Sequence, residues 1–318
     1  MHTLTWIATT QTSQWQSKES ATTSLASECK WDVEAQLEKP LQIIDGFGAC
    51  FSELGWTSLS TLEERDREAI FRDLFAPGVG LNFNICRTPV GANDFSRDWY
   101  SYDEAPEDFA LEHFSISNDL ETLIPFIKNA LKYQPELRLW ASPWSPPTWM
   151  KYNKHYAGEI SEPDMPPNGL KPEQLAWEGT DQFIQEDRYF STYSAYFARF
   201  IQEYARQGIK INMVMPQNEF NSPQPFPSCS WTAEGLARFI SFLGPELEKL
   251  KVDGAKRLDT FTLTGYENLL AFVNPDESVV VLIQNDLGEE LPVRIKIGEK
   301  VIAATLEADS FNTFVVQA

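Results

Sequence analysis

Between about residues 40 and 250 the chain alternates strand-type and helix-type segments four times, which restricts it to α/β architectures built on a parallel sheet. The first strand is read in LQIIDGFGACFSE, and its helix in STLEERDREAIFRDLFAPG. There Ser60 with Glu63 forms a capping box, Leu62, Ala69, Ile70 and Leu74 give an apolar stripe, and Pro77-Gly78 stops the helix. The second strand, GLNFNICRTPVG, precedes the helix NDLETLIPFIKNALKY, with Leu120, Leu123, Ile124, Ile127 and Leu131 on one face. The third, LRLWASPWS, runs into a polar Pro- and Gly-bearing segment from Lys151 to Asp187, a length that marks a functional loop or lid. The helix RYFSTYSAYFARFIQEYARQG follows and closes at Gly208. The fourth strand, KINMVMPQNEF, leads to TAEGLARFISFLGPELEKL, with Thr232 as N-cap.

A closed (β/α)8 barrel needs eight such units in roughly 250 residues. Four units predict an incomplete TIM-type barrel over residues 41–250. Beyond it, LLAFVNP, SVVVLIQN, LPVRIKI, KVIAATLEA and FNTFVVQ are short strand-type runs separated by Asn274-Pro275-Asp276 and Gly288. They predict an antiparallel β-sandwich over residues 251–318. The alternating N-terminal segments TLTWIATT and KWDVEAQL, within residues 1–40, are expected to join it.

A formal charge of −20 argues against nucleic acid or an anionic membrane surface as partner, because both would be repelled. No apolar run approaches the ~20 residues of a membrane helix. The N-terminus lacks a basic start followed by an apolar block, so no secretory signal and a cytoplasmic location are expected. Cys29, Cys50, Cys86 and Cys229 have no framework spacing and are read as reduced thiols. His2, His113 and His155 fit no ligand pattern, so no metal site is expected.

Reactive groups in such folds stand at the C-terminal ends of the strands. The fourth strand delivers Asn218-Glu219 there. A carboxyl that donates and then recovers a proton, beside an amide that binds a hydroxyl, suits cleavage of a glycosidic bond. The dipeptide alone is a weak signal, read more simply as a capping Asn beside an exposed Glu; its placement at a strand end, with Pro216 before it, is what favours catalysis. In WASPWSPPTWM, three prolines fix a turn that presents Trp144 and Trp149. Trp144 is assigned to sugar stacking and Trp149 to packing. Asp94 can accept hydroxyl hydrogen bonds, and Arg87 can hold a neighbouring carboxylate ionised, although either alone is often a surface pair.

The segments DGFGACFSE, NICRTPVGANDFS, LRLWASPWSPPTWMK and PQNEF, matching in order, closely resemble glycoside hydrolase family 30, the group that contains acid β-glucosidase (glucosylceramidase). The tail LLAFVNPDESVVVLIQND…SFNTFVV looks like the accessory β-sandwich of that family. The resemblance implies a retaining β-glycosidase that uses two glutamates, acts on β-linked sugars and needs no metal or organic cofactor. By motif position Glu219 matches the acid/base, Asn218 its neighbour, Asp94 and Trp144 sugar-binding residues, and Arg87 the arginine beside the catalytic pair.

One departure stands out. The nucleophile of the family is a glutamate at the end of strand seven, whereas here GPELEKL abuts VDGAKRL near Leu250 and Lys251. Strands five to eight and the nucleophile are therefore expected to be missing. Three consequences stay open: an internally deleted and inactive form, a half-barrel closed by dimerisation, or a non-catalytic carbohydrate-binding protein. In a fourth, Glu178, Asp181 or Glu186 of the long loop substitutes, since an inverting pair stands about 6.5–9.5 Å apart.

Overall fold

The computed structural model describes residues 4–18, 21–30, 32–37, 39, 44–250, 269–273, 279–285, 287–297 and 299–316. The Asn274–Asp276 turn signal, His2 and the residues after Leu250 up to 268 lie outside the described set. The chain divides into two units, residues 1–43 with 259–318, and residues 44–258.

In chain order, the strands of the first unit are β1 (Leu4–Thr9), β2 (Gln16–Lys18), β3 (Thr22–Leu25) and β4 (Val33–Ala35). The second unit contains α1 (Glu53–Ser60), α2 (Glu64–Phe75), β5 (Ile85–Pro89), α3 (Ser117–Glu121), α4 (Leu123–Tyr133), β6 (Arg138–Ser142), α5 (Asp187–Arg206), β7 (Met213–Val214) and α6 (Ala233–Lys249). The chain then returns to the first unit with β8 (Leu269–Val273), β9 (Val279–Asn285), β10 (Leu291–Ile297), β11 (Lys300–Leu306) and β12 (Ser310–Val316).

The first unit has two sheets, ordered β2-β1-β12-β9-β8 and β3-β11-β10-β4. All pairings are antiparallel except β4 beside β10. Along β12, Ser310, Asn312, Phe314 and Val316 are buried in alternation, the period of a strand with one face on a core. That core joins both sheets through Trp6, Val281 and Phe314 on one side and Ile295, Ile302 and Leu306 on the other. It is a β-sandwich.

In the second unit β5, β6 and β7 form a parallel sheet in that order. Residues 47–51 extend it on the β5 side: Arg87 N donates to Ala49 O (3.0 Å) and Phe51 N to Arg87 O (2.9 Å). Gly48 permits this approach, because a Cβ there would stand 1.8 Å from Ile85 O. Four strand positions are thus side by side, packed by helices. On α5 the buried aromatics Phe190, Tyr193, Phe197, Phe200 and Tyr204 repeat at intervals of three and four, one continuous helical face.

Two local expectations fail. Ser60 does not cap the second helix: it ends α1, where its hydroxyl donates to Trp56 O, and Glu63 precedes α2 without a side-chain cap bond. The actual cap is Ser52, whose Oγ accepts Gly55 N at the start of α1. Leu62 is consequently exposed, and Phe71 and Phe75 supply the buried stripe of α2. Further on, the helix expected from Asn118 to Tyr133 is interrupted at Thr122, which leaves Leu120 exposed. Thr232 does cap α6, accepting Gly235 N at 2.9 Å.

Candidate active site

The C-terminal ends of β5, β6 and β7 bring Arg87, Asn218 and Trp144 together. Arg87 and Trp140 are register partners on β5 and β6, so their side chains share a face of the sheet. Ser142, two residues on, shares it as well. The Arg87 guanidinium lies over the Trp140 ring at 4.7 Å and over the Trp144 ring at 4.0 Å, a cation–π sandwich. Its Nε and Nη2 donate to Ser142 Oγ at 2.9 and 2.5 Å, and Nη2 also donates to Asn218 Oδ1 at 2.7 Å. Burial pushes the guanidinium below its usual range, and the charges of Cys50, Asp94 and Glu219 oppose that. Asp94 and Glu219 therefore both lie within electrostatic reach of Arg87.

The segment that carries Glu219 is fastened from below. Asn218 N donates to Pro143 O at 2.8 Å. The buried Gln217 donates from Nε2 to Trp144 O (2.7 Å) and Asn218 O (2.8 Å), while its Oε1 accepts Trp231 Nε1 (3.3 Å). Glu219 itself is exposed, with φ +41°, a value that glutamate adopts at a cost. Its carbonyl accepts Ser222 N at 2.9 Å, closing a turn.

Asp94 is exposed in the loop after β5, in a turn set by Asn93, whose Oδ1 accepts Phe95 N at 3.0 Å. Partial desolvation raises its carboxyl above the usual range, against the pull of its own backbone N–H and of Arg87. Trp144 is only 6% exposed and gives a ring face to Arg87, so little open surface remains on it. Trp149 is buried as well, donating from Nε1 to Asp103 O at 3.0 Å.

Sequence reasoning did not single out Ser142, Trp140 or Gln217. The signal for the first two was the two-residue alternation of β6, which puts both on the face that Arg87 occupies. For Gln217 it was membership of PQNEF.

Two of the loop carboxylates have other tasks. Asp181 accepts Thr232 N at 2.8 Å at the head of α6, and Glu178 accepts Asn221 Nδ2 at 2.8 Å. Glu186 stands immediately before α5. Glu53 follows the first strand but is 1% exposed, bound by Arg97 N and Nε, Asn118 Nδ2 and Thr122 Oγ1.

All four cysteines are free thiols. Among the described residues no group of three or more His, Cys, Asp and Glu is arranged to hold a metal ion. No described helix is long and apolar enough to cross a membrane. A hollow of about 780 Å³ lies at the opposite end of the strands, among Asn84, Arg138, Lys210 and Asn212, away from these groups. Chemically, the strand-end arrangement offers a solvent-facing carboxyl beside an amide whose oxygen is already engaged, which leaves the amide N–H2 for a ligand oxygen.

The model of the glycosyl hydrolase family 30 TIM-barrel domain matches residues 44–259, and that of the family 30 β-sandwich domain matches residues 254–314. Lysosomal acid glucosylceramidase of Mus musculus is 31% identical over 219 residues, covering 67% of this chain and 39% of the relative. Endo-1,6-beta-D-glucanase neg1 of Aspergillus fumigatus is 29% identical over 217 residues, covering 67% and 42%. The chain thus spans about two fifths of the length of these relatives. Among solved structures, SrfJ from Salmonella typhimurium superposes with a TM-score of 0.78 at 18% identity, over 99% of this chain and 100% of that one, a likeness of fold. With a barrel domain and a sandwich domain both matched, the chain belongs to glycosyl hydrolase family 30, a family of O-glycosyl hydrolases.

Proposed function

We propose that the chain carries the acid/base half of a retaining β-glycosidase site, with Glu219 as proton donor and acceptor, and that it binds β-glucosides far better than it cleaves them. The observation that carries this reading is the 2.7 Å bond from Arg87 to Asn218 Oδ1. It fixes the amide oxygen, turns the amide N–H2 toward ligand and holds the neighbouring glutamate at the mouth of the strands. Asn218 then donates to the sugar 2-hydroxyl, where contacts strengthen as oxocarbenium character develops. Asp94 accepts from other hydroxyls. Trp144 acts through Arg87, whose plane it supports.

A double displacement also needs a nucleophilic carboxylate about 5–5.5 Å from the acid/base. Among the described residues the parallel sheet ends at β7, and Glu53 is buried in its own hydrogen bonds. Without that group no covalent glycosyl intermediate forms, and the rate falls by several orders of magnitude. The names of the relatives, a glucosylceramidase and an endo-1,6-β-glucanase, support β-linked glucose as the ligand class.

The test pairs binding with turnover on the purified chain. Calorimetry is expected to detect a β-glucoside, with affinity reduced about tenfold or more in Arg87→Ala, where Asn218 loses its anchor. An aryl β-glucoside is expected to be hydrolysed no faster than by Glu219→Gln. Rapid hydrolysis abolished by Glu219→Gln contradicts the missing-nucleophile reading. Absence of any sugar binding contradicts the site itself.

A further inference from the structure

The loop after β6 holds an indole in solvent beside the segment that carries Glu219. Trp177 is 68% exposed. It begins a hydrogen-bonded turn in which Thr180 N donates to Trp177 O at 3.2 Å and Thr180 Oγ1 to the same oxygen at 2.7 Å. Gly179, third in that turn, has φ +72°, the left-handed value that a type II turn requires there. Before the turn, Ala176 N donates to Gly158 O at 2.9 Å. The indole is therefore displayed by a stiff support.

That support is tied to the Glu219 segment twice. Gly179 N donates to Asn221 Oδ1 at 2.8 Å, and Asn221 Nδ2 donates to Glu178 Oε1 at 2.8 Å. Asn221 lies inside the turn that Glu219 O closes with Ser222 N. The two turns are thus hydrogen-bonded to each other.

We propose that Trp177 is the stacking platform for the sugar ring on the leaving-group side of the bond that Glu219 protonates, an assignment that rests on Glu219 being the acid/base. An acid/base stands next to the leaving oxygen, so whatever lies beyond that oxygen extends over the segments flanking the acid/base. The Trp177 turn is bonded to one of those segments. Its neighbours, Glu178 and Asn221, are polar. A flat apolar surface bordered by a carboxylate and an amide suits a pyranose, which has an apolar C–H face and a rim of hydroxyls, better than it suits a hydrocarbon chain.

Calorimetry on the full chain with glucose, a β-1,6-linked glucose dimer and octyl β-glucoside tests the proposal. The native chain is expected to bind the dimer roughly five- to tenfold more tightly than glucose, the size of one aromatic stacking contact. Trp177→Ala is expected to erase that advantage. Trp15→Ala, which removes an exposed indole of the sandwich unit, is expected to keep it. An undiminished dimer advantage in Trp177→Ala overturns the proposal and leaves the Glu219 reading intact, as does tightening by the octyl chain without tightening by the dimer. A native chain that binds none of the three overturns both.

Discussion

Arg87 stands between two indoles and spends its donors on Ser142 and Asn218, so the order of the site depends on a residue that does no proton transfer. A second polar centre, Asp119 on α3, is purely internal. It is fully buried and accepts the hydroxyls of Tyr100, Tyr102 and Tyr204 at 2.7, 2.7 and 2.6 Å. Burial outweighs these three donors and pushes its carboxyl up from 3.8 to about 6. As pH falls the folded chain takes up this proton before the unfolded chain does, so linkage makes the Asp119 contribution to stability grow from about pH 6 down to about pH 3.8. The stability difference between the native chain and Asp119→Asn, measured by urea unfolding, is expected to move in favour of the native chain by roughly 2 kcal/mol between pH 7 and pH 4. An identical difference at both pH values contradicts this. At this scale the strand-end placement of Arg87, Asn218 and Glu219 was legible because each lies in a contiguous motif. Ser142 and Trp140 were not singled out, because their roles exist only once β5 and β6 are in register.

At the scale of elements, the four strand positions and the helices α2, α4, α5 and α6 follow from apolar periodicity, whereas α1 does not. Its sequence, ELGWTSLS, offers only Trp56 and Leu59 to the core, both partly buried; Ser52 caps it and Glu53 is drawn into the bonds of Arg97, Asn118 and Thr122. Those partners are 44 to 69 residues away, beyond any local window. The long loop after β6 was legible as a loop but not in its anchoring. Lys151 is completely buried, and its ammonium donates to Ser145 Oγ (3.2 Å), Tyr156 O (2.7 Å) and Ser228 O (2.6 Å). Burial pushes it down to about 8. Tyr156 O also accepts Ser228 N (3.1 Å) and the Ser145 hydroxyl donates to Pro146 O (2.9 Å), so Lys151→Met deprives Ser228 O above all of its donor and is expected to cost about 2 kcal/mol. Chemical denaturation checks the loss, and limited proteolysis is expected to cut first between residues 151 and 187. A stability within 1 kcal/mol of the native chain, on the order of an ordinary surface change, shows that the ammonium is not the anchor.

For the whole molecule, the sandwich unit and the barrel unit match the two domain models of one family, yet the parallel sheet among the described residues holds four strand positions where a closed barrel has eight. Phe47, within the first position, and Met215, just past β7, are exposed at the two ends of that sheet. The fold class was legible, because recognising strand–helix alternation needs no tertiary information. The crowding of Trp144 under Arg87 was not, since it depends on how three loops meet. The central claim is that this chain supplies the proton-transfer carboxylate of a retaining glycosidase and not its nucleophile. Intact-mass measurement after long incubation with an activated 2-deoxy-2-fluoro-β-glucoside tests it most directly, since that reagent traps a nucleophilic carboxylate as a stable ester. The account predicts an unchanged mass; a chain that gains one fluoroglucosyl group contradicts it.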